Sequence, residues 1–166
     1  LYNFLRLPAG SLNTALGGEN ISVISHDITS SYQNPGLLRQ EEDGQLGLSY
    51  APLPGGVKQF HLTAGAYSKK TSTMFATSVQ YLNYGSITQT DNAGNIGGDF
   101  NPRDYTVQVT ASRRYANRWH YGAAIKYIGS EYGIYRSGAL AADIGVSYYD
   151  SSRGMQLGLV MKNMGW

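Results

Sequence analysis

Few side chains in this sequence are of the types that perform catalysis or bind metal ions. The 166 residues include no cysteine, and the three histidines, His26, His61 and His120, are far apart. Neither a His-x-x-x-His pair nor a Gly-x-Ser-x-Gly motif is present, and zinc sites and serine nucleophiles depend on such spacings. The glycine-rich residues 94–98 are predicted to lie in a hairpin loop, where they would not form a phosphate-binding loop. We therefore expect no enzymatic activity, no metal and no cofactor.

Three ionisable residues stand out because they fall within otherwise apolar or small-residue segments. These are Lys126, Asp143 and Lys162. A charge in such surroundings is costly unless an opposite charge lies beside it. If a hairpin centres on Ile134 and Tyr135, Lys126 lies directly opposite Asp143, with Lys162 as a diagonal neighbour. The sequence thus predicts a Lys–Asp–Lys cluster, and a structural role is favoured over a transport site because same-face pairs form in any sheet.

The elements that carry these charges show an alternation of period two. In residues 119–127, one parity reads Trp, Tyr, Ala, Ile, Tyr, whereas the other reads His, Gly, Ala, Lys. Such alternation predicts a strand with one apolar face. Seven strands of this kind are predicted, at residues 45–52, 58–67, 73–83, 104–113, 120–129, 139–149 and 155–162.

The composition favours strands that lie in a membrane. Hydrophobic residues make up 42% of the chain and charged residues 14%, against about 25% charged residues in ordinary soluble domains. No run approaches the ~18 apolar residues of a membrane helix, and a net charge of +2 does not predict nucleic-acid binding. Within the strands, the parity opposite the apolar residues carries His61, His120, Lys126, Asp143 and Lys162. This placement avoids the cost of about 2–4 kcal/mol for a lipid-facing charge near the bilayer midplane. The pattern predicts an all-β, antiparallel transmembrane β-barrel in the bacterial outer membrane, in contact with its lipid; a soluble β-sandwich is the alternative.

The predicted connections differ between the two ends of the strands. Residues 68–72, 115–117 and 150–154 are short polar turns, whereas residues 85–103 and 130–137 are longer, and residues 91–95 are predicted to cap a projecting hairpin. Outer-membrane barrels have short periplasmic turns and longer extracellular loops. The residues predicted to face a partner from these loops are Asp91, Asn92, Asn95, Asp99, Arg103, Glu131, Tyr132 and Tyr135.

The first part of the chain lacks this alternation. Residues 1–43 are predicted to form an irregular plug inside the barrel, with a turn at Asn34, Pro35 and Gly36 and a solvated charged stretch at residues 39–43, whereas residues 44–166 form the strands. Seven strands do not close a bacterial barrel, which normally has an even number and at least eight. We expect this chain to be the N-terminal half of about fourteen strands, with residues 163–166 turning into a further strand and the remainder of the barrel lying outside this sequence.

Several strings in the sequence resemble the PorQ-like family of outer-membrane barrels, which is related to PorV and, more distantly, to FadL-like fatty-acid transporters. The strings lie at residues 2–9 (YNFLRLPA), 15–18, 34–38, 80–85, 98–100, 142–145 and 162–165. The resemblance implies about fourteen strands with the amino-terminal segment in the lumen. It further implies a non-enzymatic anchor or docking platform in the type IX secretion and surface-attachment machinery of Bacteroidota, with PorV, the peptidase PorU and the surface protein PorZ as partners.

A FadL-like channel for small hydrophobic molecules is the alternative function. In that case the first 42 residues would form a hatch and line an apolar ligand pocket. The predicted interior parity carries mostly Ser, Thr, Gln, Gly and Ala, which favours the anchor.

Overall fold

The computed structural model describes residues 2–90 and 96–165, and these fold as an all-β protein of antiparallel sheets. The predicted all-β class is confirmed. The strands are β1 (Leu46–Pro52), β2 (Lys58–Ser68), β3 (Thr73–Asn83), β4 (Ile87–Thr90), β5 (Ile96–Phe100), β6 (Arg103–Tyr115), β7 (Trp119–Tyr132), β8 (Tyr135–Asp150) and β9 (Met155–Gly165).

Seven of these strands form one sheet in the order β1-β2-β3-β6-β7-β8-β9, and all seven predicted strands belong to it. β4 and β5 pair antiparallel with each other between β3 and β6, as the predicted hairpin requires. Residues 91–95, which were predicted to cap that hairpin, lie outside the described residues. In the described parts of the chain the large sheet does not close on itself. β1 pairs only with β2, and β9 pairs only with β8.

The connection between β7 and β8 is shorter than predicted. Residues 130–137 were expected to form a loop, but β7 runs to Tyr132, β8 begins at Tyr135, and only Gly133 and Ile134 make the turn. Gly133 has a φ of 61°, which suits the tight hairpin turns that match strand twist. The predicted hairpin centre is therefore wrong, and Lys126 pairs with Ala141 whereas Asp143 pairs with Ala124.

The end of β9 also differs from the prediction. Residues 163–165 continue the strand instead of starting a turn, because a bulge takes up the change of phase. Asn163 has a φ of 56°, and the register with β8 shifts between Ala142 and Ile144. A bulge of this kind adds one unpaired residue and re-aims the side chains beyond it.

The large sheet has an apolar face that is exposed and a polar face that is buried. Leu48, Ile125 and Leu159 are 75%, 68% and 70% exposed, respectively, whereas Ser78 and Gln108 on the other face are fully buried. This reverses the arrangement of a sheet in a water-soluble domain, where the apolar face packs inward.

Residues 2–43 cover the polar face with one short helix, α1 (Ser11–Ala15), and 3-10 turns at Asn3–Arg6, Ile28–Tyr32, Pro35–Leu37 and Gln40–Glu42. The Asp27 side chain accepts a hydrogen bond from the backbone N–H of Thr29 and so caps its turn. Small apolar clusters hold the segment on the sheet; one comprises Ile28, Leu38, Met74 and Ala76, and the other Phe4, Leu5, Leu82, Ile128 and Ala141. No helix in residues 2–90 or 96–165 has the length and apolar character needed to cross a membrane.

Candidate functional site: the polar face and its covering segment

The turn at Asn34, Pro35 and Gly36 packs directly against two glycines of the sheet. A Cβ atom at Gly122 of β7 would collide with the carbonyl group of Pro35, and one at Gly145 of β8 would collide with the Asn34 side chain. Gly36 also leaves no room for a side chain, because a Cβ there would lie 2.9 Å from the backbone of β8. The turn therefore sits in a slot that only glycine on these strands leaves open.

Hydrogen bonds hold the same turn in place. The Ser147 hydroxyl of β8 donates to the carbonyl oxygen of Gly36 at 2.7 Å. The Asn34 side chain accepts from the Gly36 backbone N–H at 2.8 Å and donates to the Ile21 carbonyl at 2.7 Å. The turn thus joins two parts of the covering segment to the sheet.

Lys126 and Asp143 form a buried ion pair beneath this segment. Lys126 Nζ lies 2.6 Å from Asp143 Oδ2, and both side chains are almost wholly inaccessible. The other carboxylate oxygen of Asp143 accepts the backbone N–H of Asn163 at 2.7 Å, and Lys126 donates to the Asn163 side chain at 3.1 Å. The Tyr32 ring lies 5.4 Å from Lys126 Nζ. Two hydrogen bonds thereby link the ion pair to the β9 bulge at Asn163.

Lys162 lies outside this ion pair. Its ammonium group donates to Gln33 Oε1 at 2.7 Å, and no carboxylate lies within 4.0 Å of it among the described residues. The predicted three-membered cluster therefore separates into an ion pair and a lysine that holds the covering segment.

Residues 39–43 are not the solvated stretch that the sequence predicted, because Arg39 and Glu42 are buried. Glu42 Oε2 accepts the backbone N–H of Arg39 at 3.2 Å. Burial raises the pKa of Glu42 to about 7, and it lowers the pKa of the Arg39 guanidinium. No local sequence signal distinguishes these two residues from exposed charges, since their burial depends on strands far along the chain.

The remaining polar face is a network of neutral hydrogen bonds. The Thr63 hydroxyl lies 2.8 Å from His61 Nε2 and 2.9 Å from the Ser78 hydroxyl. The Tyr32 hydroxyl reaches Thr106 at 2.9 Å, and burial raises the pKa of Tyr32. Within residues 2–90 and 96–165, no three His, Asp or Glu side chains are grouped so that they could hold a metal ion.

The residues predicted to face a partner divide into three groups. Asp91, Asn92 and Asn95 lie outside the described residues. Asp99 in β5 and Tyr135 at the start of β8 are exposed.

Arg103 and Tyr132 are also exposed, but they and Glu131 make side-chain contacts within the sheet. The predicted loop position is wrong for four residues, which all lie on strands: Arg103, Glu131, Tyr132 and Tyr135. Arg103 Nε donates to Glu131 Oε2 at 2.6 Å, and the Tyr132 hydroxyl donates to the buried carboxylate of Asp104 at 3.1 Å. Asp104 also accepts from the hydroxyls of Ser130 and Tyr84. These contacts join β6 to β7 at the end of the sheet that carries the β4–β5 hairpin.

No family model matches the sequence, and a search of curated proteins finds no match. The geometry described above supplies a polar sheet face that residues 2–43 cover.

Proposed function

We propose that this chain forms part of the wall of a bacterial outer-membrane β-barrel whose interior is filled by residues 2–43, and that the barrel serves as a membrane anchor or docking platform in type IX protein secretion and surface attachment. One observation carries the membrane part of the proposal: the large sheet exposes apolar side chains from β1 to β9 while it buries polar ones. Monomers in water rarely expose continuous apolar patches larger than a few hundred Å². If lipid hydrocarbon covers this face, its apolar side chains are removed from water, which is favourable.

The lengths of the strands support a membrane setting. β2, β3 and β9 have 11 residues each, and β7 has 14. At about 3.3 Å per residue, eleven residues reach roughly 36 Å, which spans the ~25 Å apolar band of an outer-membrane barrel when the strands tilt.

Aromatic side chains on the apolar face form a row near one end of the sheet. Tyr50, Phe60, Tyr81 and Tyr105 are successive cross-strand partners from β1 to β6. Their ring centroids are 4.9 Å apart for Tyr50 and Phe60 and 6.4 Å apart for Phe60 and Tyr81. Trp119 and Tyr148 make a similar pair towards the opposite end, 4.8 Å apart. Aromatic belts at both membrane–water interfaces are typical of such barrels.

The secretion role is supported by the resemblance to the PorQ-like family and by the filled polar face. A covering segment held by buried hydrogen bonds and a slot for the turn at residues 34–36 suits an anchor better than an open pore. The β4–β5 hairpin, with Ile96 and Asp99 exposed, offers a docking surface for a partner such as PorZ, PorU or PorV.

Affinity purification of the full-length protein from outer membranes tests the proposal. Secretion-system components should co-purify with the protein, and replacement of residues 87–100 by a short Gly-Ser linker should remove them while the protein stays in the membrane fraction. Recovery of the protein without any such component would contradict the secretion role, and release from cells without detergent would contradict the membrane role.

A FadL-like channel is the second candidate function, and one cavity favours it. A space of about 330 Å³ lies between residues 2–6 and strands β7 to β9, with Leu5, Ile128 and Leu140 in its lining. A bound fatty acid that contacts these residues, together with loss of fatty-acid uptake in a deletion strain, would favour this function. Normal uptake in the deletion strain would count against it.

A further inference from the structure

A second cavity lies at the end of the large sheet that carries the short turns. It measures about 530 Å³ and lies between the covering segment, the β6–β7 turn and the β8–β9 turn. Arg39, Arg114 and Arg118 line it, together with His120 and Tyr149. One arginine of the covering segment and two arginines beside the β6–β7 turn therefore line the same space.

Arg39 is a buried cation without a matching anion. Its residue is only 8% exposed, and no carboxylate lies within 4.0 Å of its guanidinium among the described residues. Its side-chain contacts are long and go to neutral groups, at 3.5 Å to His120 Nε2 and 3.4 Å to the Ser147 hydroxyl. Its Nε has no hydrogen-bond partner among the described residues. A charge that is buried without an opposite charge is costly, and a bound anion would lower that cost.

The neighbouring groups add to the positive charge. After burial and the nearby Glu41 and Glu42, Arg114 is a further cause of the pKa shift of Arg39, and it acts to lower that pKa. Arg114 itself contacts the neutral Asn117 side chain at 3.1 Å. Both cations thus face the cavity with neutral hydrogen-bond partners.

The carboxylates near the cavity do not neutralise the charges of Arg39 and Arg114. Asp150 is engaged by Arg118 at 3.0 Å and by the Ser152 hydroxyl at 2.6 Å. Glu42, whose pKa is raised to about 7, is a weak counter-ion near neutral pH. Glu41 lines the cavity and is exposed, so its charge is screened by water.

We propose that this cavity binds a small phosphate-bearing anion, held by the guanidinium groups of Arg39 and Arg114. Guanidinium groups bind phosphate oxygens through paired N–H donors, and two of them match a doubly charged anion. The volume of the cavity, about 530 Å³, is larger than inorganic phosphate requires, and Tyr149 and Ile24 in its lining offer apolar contacts to the organic part of a phosphate ester. This site does not depend on the secretion role.

Calorimetric titration of the full-length protein in detergent, with chloride as the background anion, tests the proposal. The probes are inorganic phosphate and glycerol 3-phosphate, and tighter binding of the second would identify a phosphate ester as the preferred ligand, whereas equal binding would identify the free anion. We expect saturable binding that weakens about tenfold or more in Arg114→Gln and in Arg39→Gln, since each loses a charge-assisted hydrogen bond.

Lys70→Gln is the matched control, because Lys70 is an exposed cation in the β2–β3 turn and does not line the cavity. Its affinity should equal that of the unaltered protein. Arg114 is exposed, so Arg114→Gln tests the site even if Arg39→Gln fails to fold. The absence of saturable binding by the unaltered protein, or an equal loss of affinity in Lys70→Gln, would overturn the proposal.

Discussion

Replacement of Ile125 by lysine tests whether lipid or water covers the apolar face, because the loss in the free energy of unfolding differs between the two cases. Ile125 lies at the middle of β7, on the apolar face, and is 68% exposed. If hydrocarbon covers this face, the lysine is placed near the bilayer midplane and should lower the free energy of unfolding by about 2–4 kcal/mol. If water covers it, the change removes an exposed apolar side chain, and the free energy should change by less than about 0.5 kcal/mol.

The assay is urea denaturation of the full-length protein refolded into lipid vesicles. Ile134→Lys is the control, because Ile134 lies in the β7–β8 turn and is 89% exposed. The control should leave stability nearly unchanged, since a turn beyond the apolar band meets water. Equal effects of the two substitutions would refute the assignment of the exposed face to lipid.

Three further substitutions test the polar face and its covering segment. Asp143→Ala should cost about 3–5 kcal/mol in unfolding free energy, because it leaves Lys126 buried without an opposite charge. The double variant Lys126→Met/Asp143→Leu should lose much less, and an equal loss would argue against the charge as the cause. Gly145→Ala should displace the turn at residues 34–36 and speed proteolysis of residues 2–43. Gly138→Ala in the same strand should not, because a Cβ there approaches only the Tyr127 side chain, at 3.0 Å from its hydroxyl. Equal protection from proteolysis in both variants would contradict the close packing of the turn against Gly145. Burial raises the pKa of Glu42 from 4.5 to about 7, so its contribution to stability should be full below pH 4.5 and fall by at most about 3 kcal/mol as the pH rises to 7; Glu42→Gln should remove that part of the pH dependence, and an unchanged pH profile would show that Glu42 is not its source.

The strands could be predicted because alternation is a local property of the sequence. β3 has the predicted bounds, and β2 differs by a single residue at its end. Strands β6 to β8 run further than predicted because pairs such as Arg103 with Glu131 extend the sheet through residues that are loop-like by type. Residue type alone therefore predicted these strands too short, because pairing with a neighbouring strand extends them into polar residues.

The register could not be predicted with the same certainty, because it depends on one turn. A centre at Gly133 and Ile134 instead of Ile134 and Tyr135 moves every cross-strand partner of β7 by two residues. The faces of Lys126 and Asp143 survive this change, since the side-chain period is two. That is why the two residues still meet as diagonal neighbours. Lys162 instead donates to Gln33 of the covering segment, a contact that the sequence did not predict.

The cavity around Arg39 carried no signal in the sequence. Arg39 and His120 are 81 positions apart, and neither lies in a recognisable motif. Their contact depends on how the covering segment folds back across β7 and β8, which alternation does not specify. Long-range packing of irregular segments is the part of this fold that only the structure supplies.

Site-directed spin labelling in outer-membrane vesicles tests the central claim most directly. This part of the protein contains no cysteine. Once any cysteine in the rest of the full-length protein is replaced by serine, single cysteine substitutions at Ile144 and Leu159 place one label each, and a third at Ile134 is the water-exposed reference. Labels at Ile144 and Leu159 should collide often with dissolved oxygen and rarely with a water-soluble nickel chelate, and the label at Ile134 should do the reverse. Equal access of the nickel chelate to all three positions would contradict a hydrocarbon-facing sheet.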